Sequence, residues 1–201
     1  AVPGWDNQEA LVIFEQMLTA ADGDITAVFA ANDGLANAAI TAYKNAGVSP
    51  ADAGIPISGQ DATVGGIQNI LAGDQAMTVY KPIKAEAETA ALAAIALLKG
   101  EDLTALTGGL TLNNGTNDVP FVALEPIGVT KSNIATTVIA DGFRTWEEVC
   151  VGDFEQYCTD AVRSGEMMDD MDDMGGGSVD YMAMMPDASG AEGSVWVLLP
   201  D

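Results

Sequence analysis

Asp61 and Lys81 are the side chains around which chemistry could gather. Asp61 closes the run Ser58-Gly59-Gln60-Asp61, where the apolar residues Ile55 and Ile57 give way to polar ones, and Lys81 sits in Tyr80-Lys81-Pro82. A carboxylate only accepts hydrogen bonds and an ammonium only donates them. Brought together, they suit something small, polar and rich in hydroxyls. They do not suit glycoside hydrolysis, which needs two carboxyl groups flanking one bond. The chain has no histidine, so Cys/His zinc sites and histidine-assisted nucleophiles are excluded too. The expectation is a binding protein rather than an enzyme, with no catalytic residue, no metal and no cofactor.

A unit of strand, helix and strand over residues 55–82 would bring the two together. Thr63 is placed to cap a helix through Ile67, Ile70 and Leu71, and Gly73 to end it. Parallel strands joined by a right-handed crossover end on the same edge of a sheet. Asp61 and Lys81 then both fall at carboxyl ends of strands, where open α/β sheets bind their ligands. Upstream, Asp6 with Glu9 three residues on starts a helix whose apolar face is Leu11, Phe14, Met17 and Leu18. A buried strand over 25–31 follows, then an Ala-rich helix over 35–46 ended by Gly47, with Asp33 as its preferred cap. This alternation predicts an α/β fold, a parallel sheet with helices on both faces. Beyond Pro82 a second Ala-rich helix runs to about Leu98, and a polar turn over 113–118 joins two extended stretches. Ser132 could cap a short helix through Ile139, and residues 146–162 read as helical in two pieces.

The formal charge of -23 leaves almost nothing to neutralise phosphates, which argues against nucleic acid and against an anionic membrane surface. No apolar run approaches the roughly 20 residues of a membrane span, so no direct membrane insertion of this segment is expected. An acidic surface fits a secreted or salt-adapted protein held in solution by its charge. Cys150 and Cys158 read as a short disulfide-closed loop, which requires an oxidising compartment; two free buried thiols are the alternative. The chain does not begin with Met, and it reads as a processed product or a segment of something longer.

Composition changes near Gly165. Residues 164–193 are rich in Met, Asp and Gly and read as an acidic, extended linker. A metal site at Asp169, Asp170, Asp172 and Asp173 lacks the glycine and closing glutamate of a calcium loop. Residues 194–201, SVWVLLPD, are abruptly apolar and strand-like. Such a strand needs a sheet to join, in this chain or another.

Several short stretches in one order carry a resemblance. They are Gly4-Trp5, Ala30-Ala31-Asn32-Asp33 with Ala36, Ser58-Gly59-Gln60-Asp61-Ala62, Thr78-Val79-Tyr80-Lys81-Pro82, Leu112-Asn113-Asn114-Gly115 and Asp118-Val119-Pro120. Over about residues 4–145 the chain resembles the periplasmic sugar-binding proteins of ABC importers, and among them the D-xylose-binding group. The resemblance implies a two-lobed type I periplasmic-binding-protein fold with one lobe incomplete here. Residues 1–82 and 126–163 would belong to the second lobe and 83–125 to the first. Residues 194–201 look like the opening strand of a further first lobe.

The resemblance also implies roles. Asp61, Lys81 and Asn32 match ligand-contact positions of the second lobe, and Trp5 matches the position whose indole packs on the sugar's apolar face. The implied ligand is a monosaccharide, D-xylose foremost, and the implied partner is the membrane permease of an ABC transporter. The implied setting is extracytoplasmic, with a lipid anchor on a longer parent. The other reading is the ligand-sensing domain of a LacI-type regulator, which shares the fold; the acidic surface and the paired cysteines tell against it.

Overall fold

The computed structural model describes residues 1–166 and the strand 195–198. The chain divides into two compact units, Ala1–Tyr80 with Gly128–Asp201, and Lys81–Ile127.

In the first unit, a single 3-10 turn at Pro3–Trp5 leads into α1 (Asn7–Ala20), whose cap Asp6 accepts from the amides of Gln8 and Glu9. Ala10, Phe14 and Leu18 form the buried stripe of α1, with Leu11 and Met17 packed beside it. Strand β1 (Ala27–Ala30) runs into α2 (Asp33–Asn45), which buries Leu35, Ala36, Ala39, Ile40 and Tyr43. Alanine is small enough to let α1 and α2 approach closely, and Phe14 meets Tyr43 edge-on at 5.5 Å. After one turn of helix, α3 (Pro50–Ala53), come α4 (Val64–Ala72) and β2 (Thr78–Tyr80). Thr63 caps α4 and Gly73 ends it in the left-handed conformation, as the sequence leads one to expect.

The strand expected at 55–58 is shorter than the pattern suggests. It joins its neighbours only through parallel bridges, Val28 to Ile57 and Ser58 to Met77. Pro56 has no amide hydrogen to donate to a ladder, though its carbonyl accepts from Val28 N at 3.0 Å. Residues 57–58 still link β1 to β2. On the other side of β1 lies β6 (Val195–Leu198), parallel and paired from Ala27–Val195 to Ala30–Leu198. The apolar run after the acidic segment thus finds its sheet in this chain. The metal reading and most of the expected linker fall on residues outside those described.

Strand β5 (Ile127–Val129) pairs with β2. The segment after it packs a second apolar cluster of Ile67, Ile70, Leu71, Tyr80, Val129, Ile134, Val138, Val149 and Val162. It is tied to α4 by two polar contacts, Lys131 Nζ to Leu71 O and Gln68 Nε2 to Val149 O, and to the loop before α4 by Arg144 Nε to Ala62 O, at 2.8–2.9 Å. Ser132 caps nothing; its hydroxyl pairs with that of Thr130, and the helix that follows is a short π-helix, Ala135–Ile139. The cysteine region holds three helical pieces rather than two: α7 (Trp146–Val149), a 3-10 segment Gly152–Tyr157 and α8 (Asp160–Ser164).

The second unit contains α5 (Ile83–Lys99), ended by Gly100, the short α6 (Thr104–Thr107) and an antiparallel hairpin of β3 (Thr111–Asn113) with β4 (Asp118–Pro120). Asn113 and Asn114 organise the hairpin turn by accepting from the amides of Gly115, Thr116 and Asn117.

Candidate functional site

The loop that carries Asp61 is built from strand-like backbone that turns sharply. Gly59 O accepts from Val79 N at 3.2 Å and Asp61 N donates to Val79 O at 2.8 Å, so residues 59–61 run beside β2. The chain then enters the left-handed region at two non-glycine residues, Asp61 (φ 96°) and Ala62 (φ 46°). Such angles cost L-residues of order 1–3 kcal/mol each and persist where the surroundings over-determine them.

The surroundings here are specific. Three consecutive amides are each claimed: Asp61 N by Val79 O, Ala62 N by Thr78 Oγ1 at 3.1 Å, and Thr63 N by Asp33 Oδ2 at 2.8 Å. Arg144 Nε donates to Ala62 O, and Ala62 itself is fully buried.

Asp33 is the residue that sequence reasoning placed wrongly. The cap of α2 is Asn32, whose Oδ1 accepts from Leu35 N at 2.9 Å. Asp33, one position later, is 2% exposed. Its Oδ1 accepts from Gln75 Nε2 (2.8 Å) and Thr78 Oγ1 (2.7 Å), and its Oδ2 from Thr63 N and Thr63 Oγ1 (3.0 Å). Burial pushes its carboxyl above the ordinary value, against the opposing pull of those hydrogen bonds. Space for the carboxylate is left by Gly59 and Gly66, where an added Cβ would overlap its oxygens. The sequence signal was present in these two glycines, but nothing in their spacing says what approaches them.

Asn32 and Asp61 are brought to adjoining places, because Asp33 N donates to Gln60 O at 2.9 Å. Both are partly buried. Asn32 spends one lone pair on its cap and keeps an amide NH2 that can donate elsewhere. Trp5 is no core residue: it is 46% exposed and holds a positive φ of 61° at the entry to α1. Two residues on, the side chain of Asn7 lies so close to Gly34 that a Cβ there would meet it at 2.5 Å. The start of α1 is therefore seated on the start of α2. Lys81 is the first residue of the second unit, directly after β2, partly buried, with its carbonyl accepting from Ile83 N at 2.7 Å.

Cys150 and Cys158 are joined in a disulfide, Cα–Cα 6.0 Å. Among the described residues no group of three or more His, Cys, Asp or Glu side chains could hold a metal ion, and no helix is long and apolar enough to cross a membrane.

A family model described as a periplasmic binding protein domain matches residues 1–102. The chain is 49% identical over 148 residues to the D-xylose-binding periplasmic protein of Escherichia coli (strain K12), covering 74% of this chain and 43% of that protein. It is 45% identical, with the same coverage, to the D-xylose-binding periplasmic protein of Haemophilus influenzae. Among solved structures it resembles a carbohydrate transporter solute-binding protein from Chloroflexus aurantiacus in complex with D-glucose. There the TM-score is 0.59 and the identity 33%, over 72% of this chain and 42% of the other. The chain spans less than half the length of the curated relatives it matches.

Proposed function

The chain belongs to the family of periplasmic binding protein domains, and we propose on that basis that it is part of a receptor that captures a monosaccharide, D-xylose foremost, outside the cytoplasm. It breaks no bond. The receptor hands its sugar to the membrane permease of an ABC importer, and its longer parent carries a lipid anchor. Residues 1–82 with 126–163 serve as second-lobe material and 83–125 as first-lobe material; a division of the chain at Lys81–Ile127 supports this assignment. Residues 194–201 open a further first lobe, a role compatible with their capacity to pair as a strand.

The observation that carries the reading is the left-handed turn at Asp61. A strained backbone held by three claimed amides presents a partly buried carboxylate beside Asn32. Hydroxyls both donate and accept, so an acid, an amide and an amine together satisfy a sugar's edge. In this reading Asp61 accepts from two hydroxyls, Lys81 donates to a hydroxyl or ring oxygen, Asn32 does either, and the Trp5 indole covers the apolar face. Charge-assisted bonds of this kind contribute about 1.5–3 kcal/mol each.

The test is calorimetric titration with D-xylose. The 201-residue chain is expected to bind more weakly than micromolar, since it spans less than half the length of its sugar-binding relatives. In a full-length parent, Asp61→Ala abolishes binding and leaves the unfolding curve nearly in place. An unchanged affinity removes Asp61 from the site.

A further inference from the structure

Asp61 and Ala62 hold a backbone conformation that neither residue favours, and what holds it lies elsewhere in the chain. Thr78 Oγ1 sits at the centre: it donates to Asp33 Oδ1 at 2.7 Å and accepts from Ala62 N at 3.1 Å. A hydroxyl has one proton, and Asp33 takes it, which leaves the oxygen free to receive the amide. Asp33 also receives Thr63 N, the next amide along, on its other oxygen. The carboxylate thus fixes residue 63 directly and residue 62 through Thr78. Gln75 Nε2 bridges Asp33 Oδ1 and Met77 O, holding the carboxylate to the start of the strand that presents Thr78. Gly59 and Gly66 wall it in on two sides. A carboxylate 2% exposed is a costly way to stabilise a fold, since an apolar core would serve better. It is a good way to impose one geometry on a loop.

We propose that Asp33 and Thr78 are positioning residues: a buried carboxylate–hydroxyl relay that sets the left-handed turn at 61–62 and thereby aims Asp61 at the ligand. This rests on the function proposed above for Asp61. Neither residue touches the sugar.

The experiment is NMR on the uniformly 15N-labelled chain. It reads the HN–Hα couplings and amide exchange of residues 61–63 and the shifts of their amides on titration with D-xylose. Thr78→Val keeps the shape and deletes the hydroxyl. The expected result is an Ala62 amide exchanging about tenfold faster or more, couplings at 61 and 62 moved off their left-handed values, and D-xylose affinity lowered about tenfold. Amides of α1 should not move. Thr78→Ser returns the hydroxyl and restores all three. If Thr78→Val does not fold, Asp33→Asn is read on the same signals.

Couplings and exchange at 61–63 that stay the same in these variants overturn the proposal. So does global unfolding of both, which would make the network a support of the whole fold rather than of the loop. A full-length parent that does not bind D-xylose overturns the sugar-binding function instead, and the couplings at 61 and 62 in the 201-residue chain still decide the relay.

Discussion

Asp33 accepts four hydrogen bonds from three residues while nearly sealed from water. Every one of its neighbours in that network is a donor, so the amide of an asparagine would aim its NH2 at a group that also donates. Asp33→Asn should therefore cost about 1–3 kcal/mol, measured by urea unfolding at neutral pH. The pH dependence follows from the raised carboxyl value. A carboxyl whose folded-state value lies above its unfolded one stabilises fully below the ordinary carboxylate range and loses that contribution as pH rises through its folded value. The stability gap between wild type and Asp33→Asn should thus widen on acidification from neutral pH; a gap that narrows would contradict the direction. Adjacent residues of this kind are where sequence reading fails. Asn32 and Asp33 are both good caps by propensity, and only the register of β1 against residues 57–58 decides which one faces its own helix and which one crosses to α4. By contrast, Asp6 was legible from Glu9 three residues on, Thr63 from its place directly before an apolar helical run, and Gly73 as the glycine at the helix end.

At the scale of elements, α4 joins the loop to the core. Its cap Thr63 does double duty, receiving Gly66 N on its hydroxyl while donating that hydroxyl to Asp33. Gly66→Ala in an ordinary helix gains up to about 1 kcal/mol. Here the new methyl meets the Asp33 carboxylate, and the expected outcome is a loss of about 1–3 kcal/mol in denaturant unfolding. A gain would show that α4 or Asp33 shifts freely. Helix positions were readable from apolar spacing, since Ile67, Ile70 and Leu71 fall on one face. The strand at 55–58 was overread for a local reason: an Ile-Pro-Ile run has the hydrophobic pattern of a strand, but its proline removes a ladder donor. The π-helix at Ala135–Ile139 carries no pattern that distinguishes it from an α-helix of the same residues.

For the whole molecule, the Cys150–Cys158 bond pins the end of the first unit's second cluster, where Cys158 is buried with Val149 and Val162. Closing so short a loop contributes about 2–3 kcal/mol; unfolding midpoints with and without reductant should differ accordingly, and mass before and after reduction checks the bond itself. The two tyrosines that anchor the two clusters, Tyr43 and Tyr80, are both pushed up to about 12, chiefly by burial. The α/β alternation was readable because each strand and helix declares itself locally. The neighbour of β1 on its far side was not. It lies at the opposite end of the sequence, and the pairing of Ala27–Ala30 with Val195–Leu198 spans more chain than any other strand pair among the described residues. Until residues 195–198 pair with it, one flank of β1 keeps its carbonyls and amides open while its other flank is already joined to residues 57–58. Residues 195–198 seal that flank, so a product lacking them would carry a sticky border and should be the species that chaperones and proteases see first.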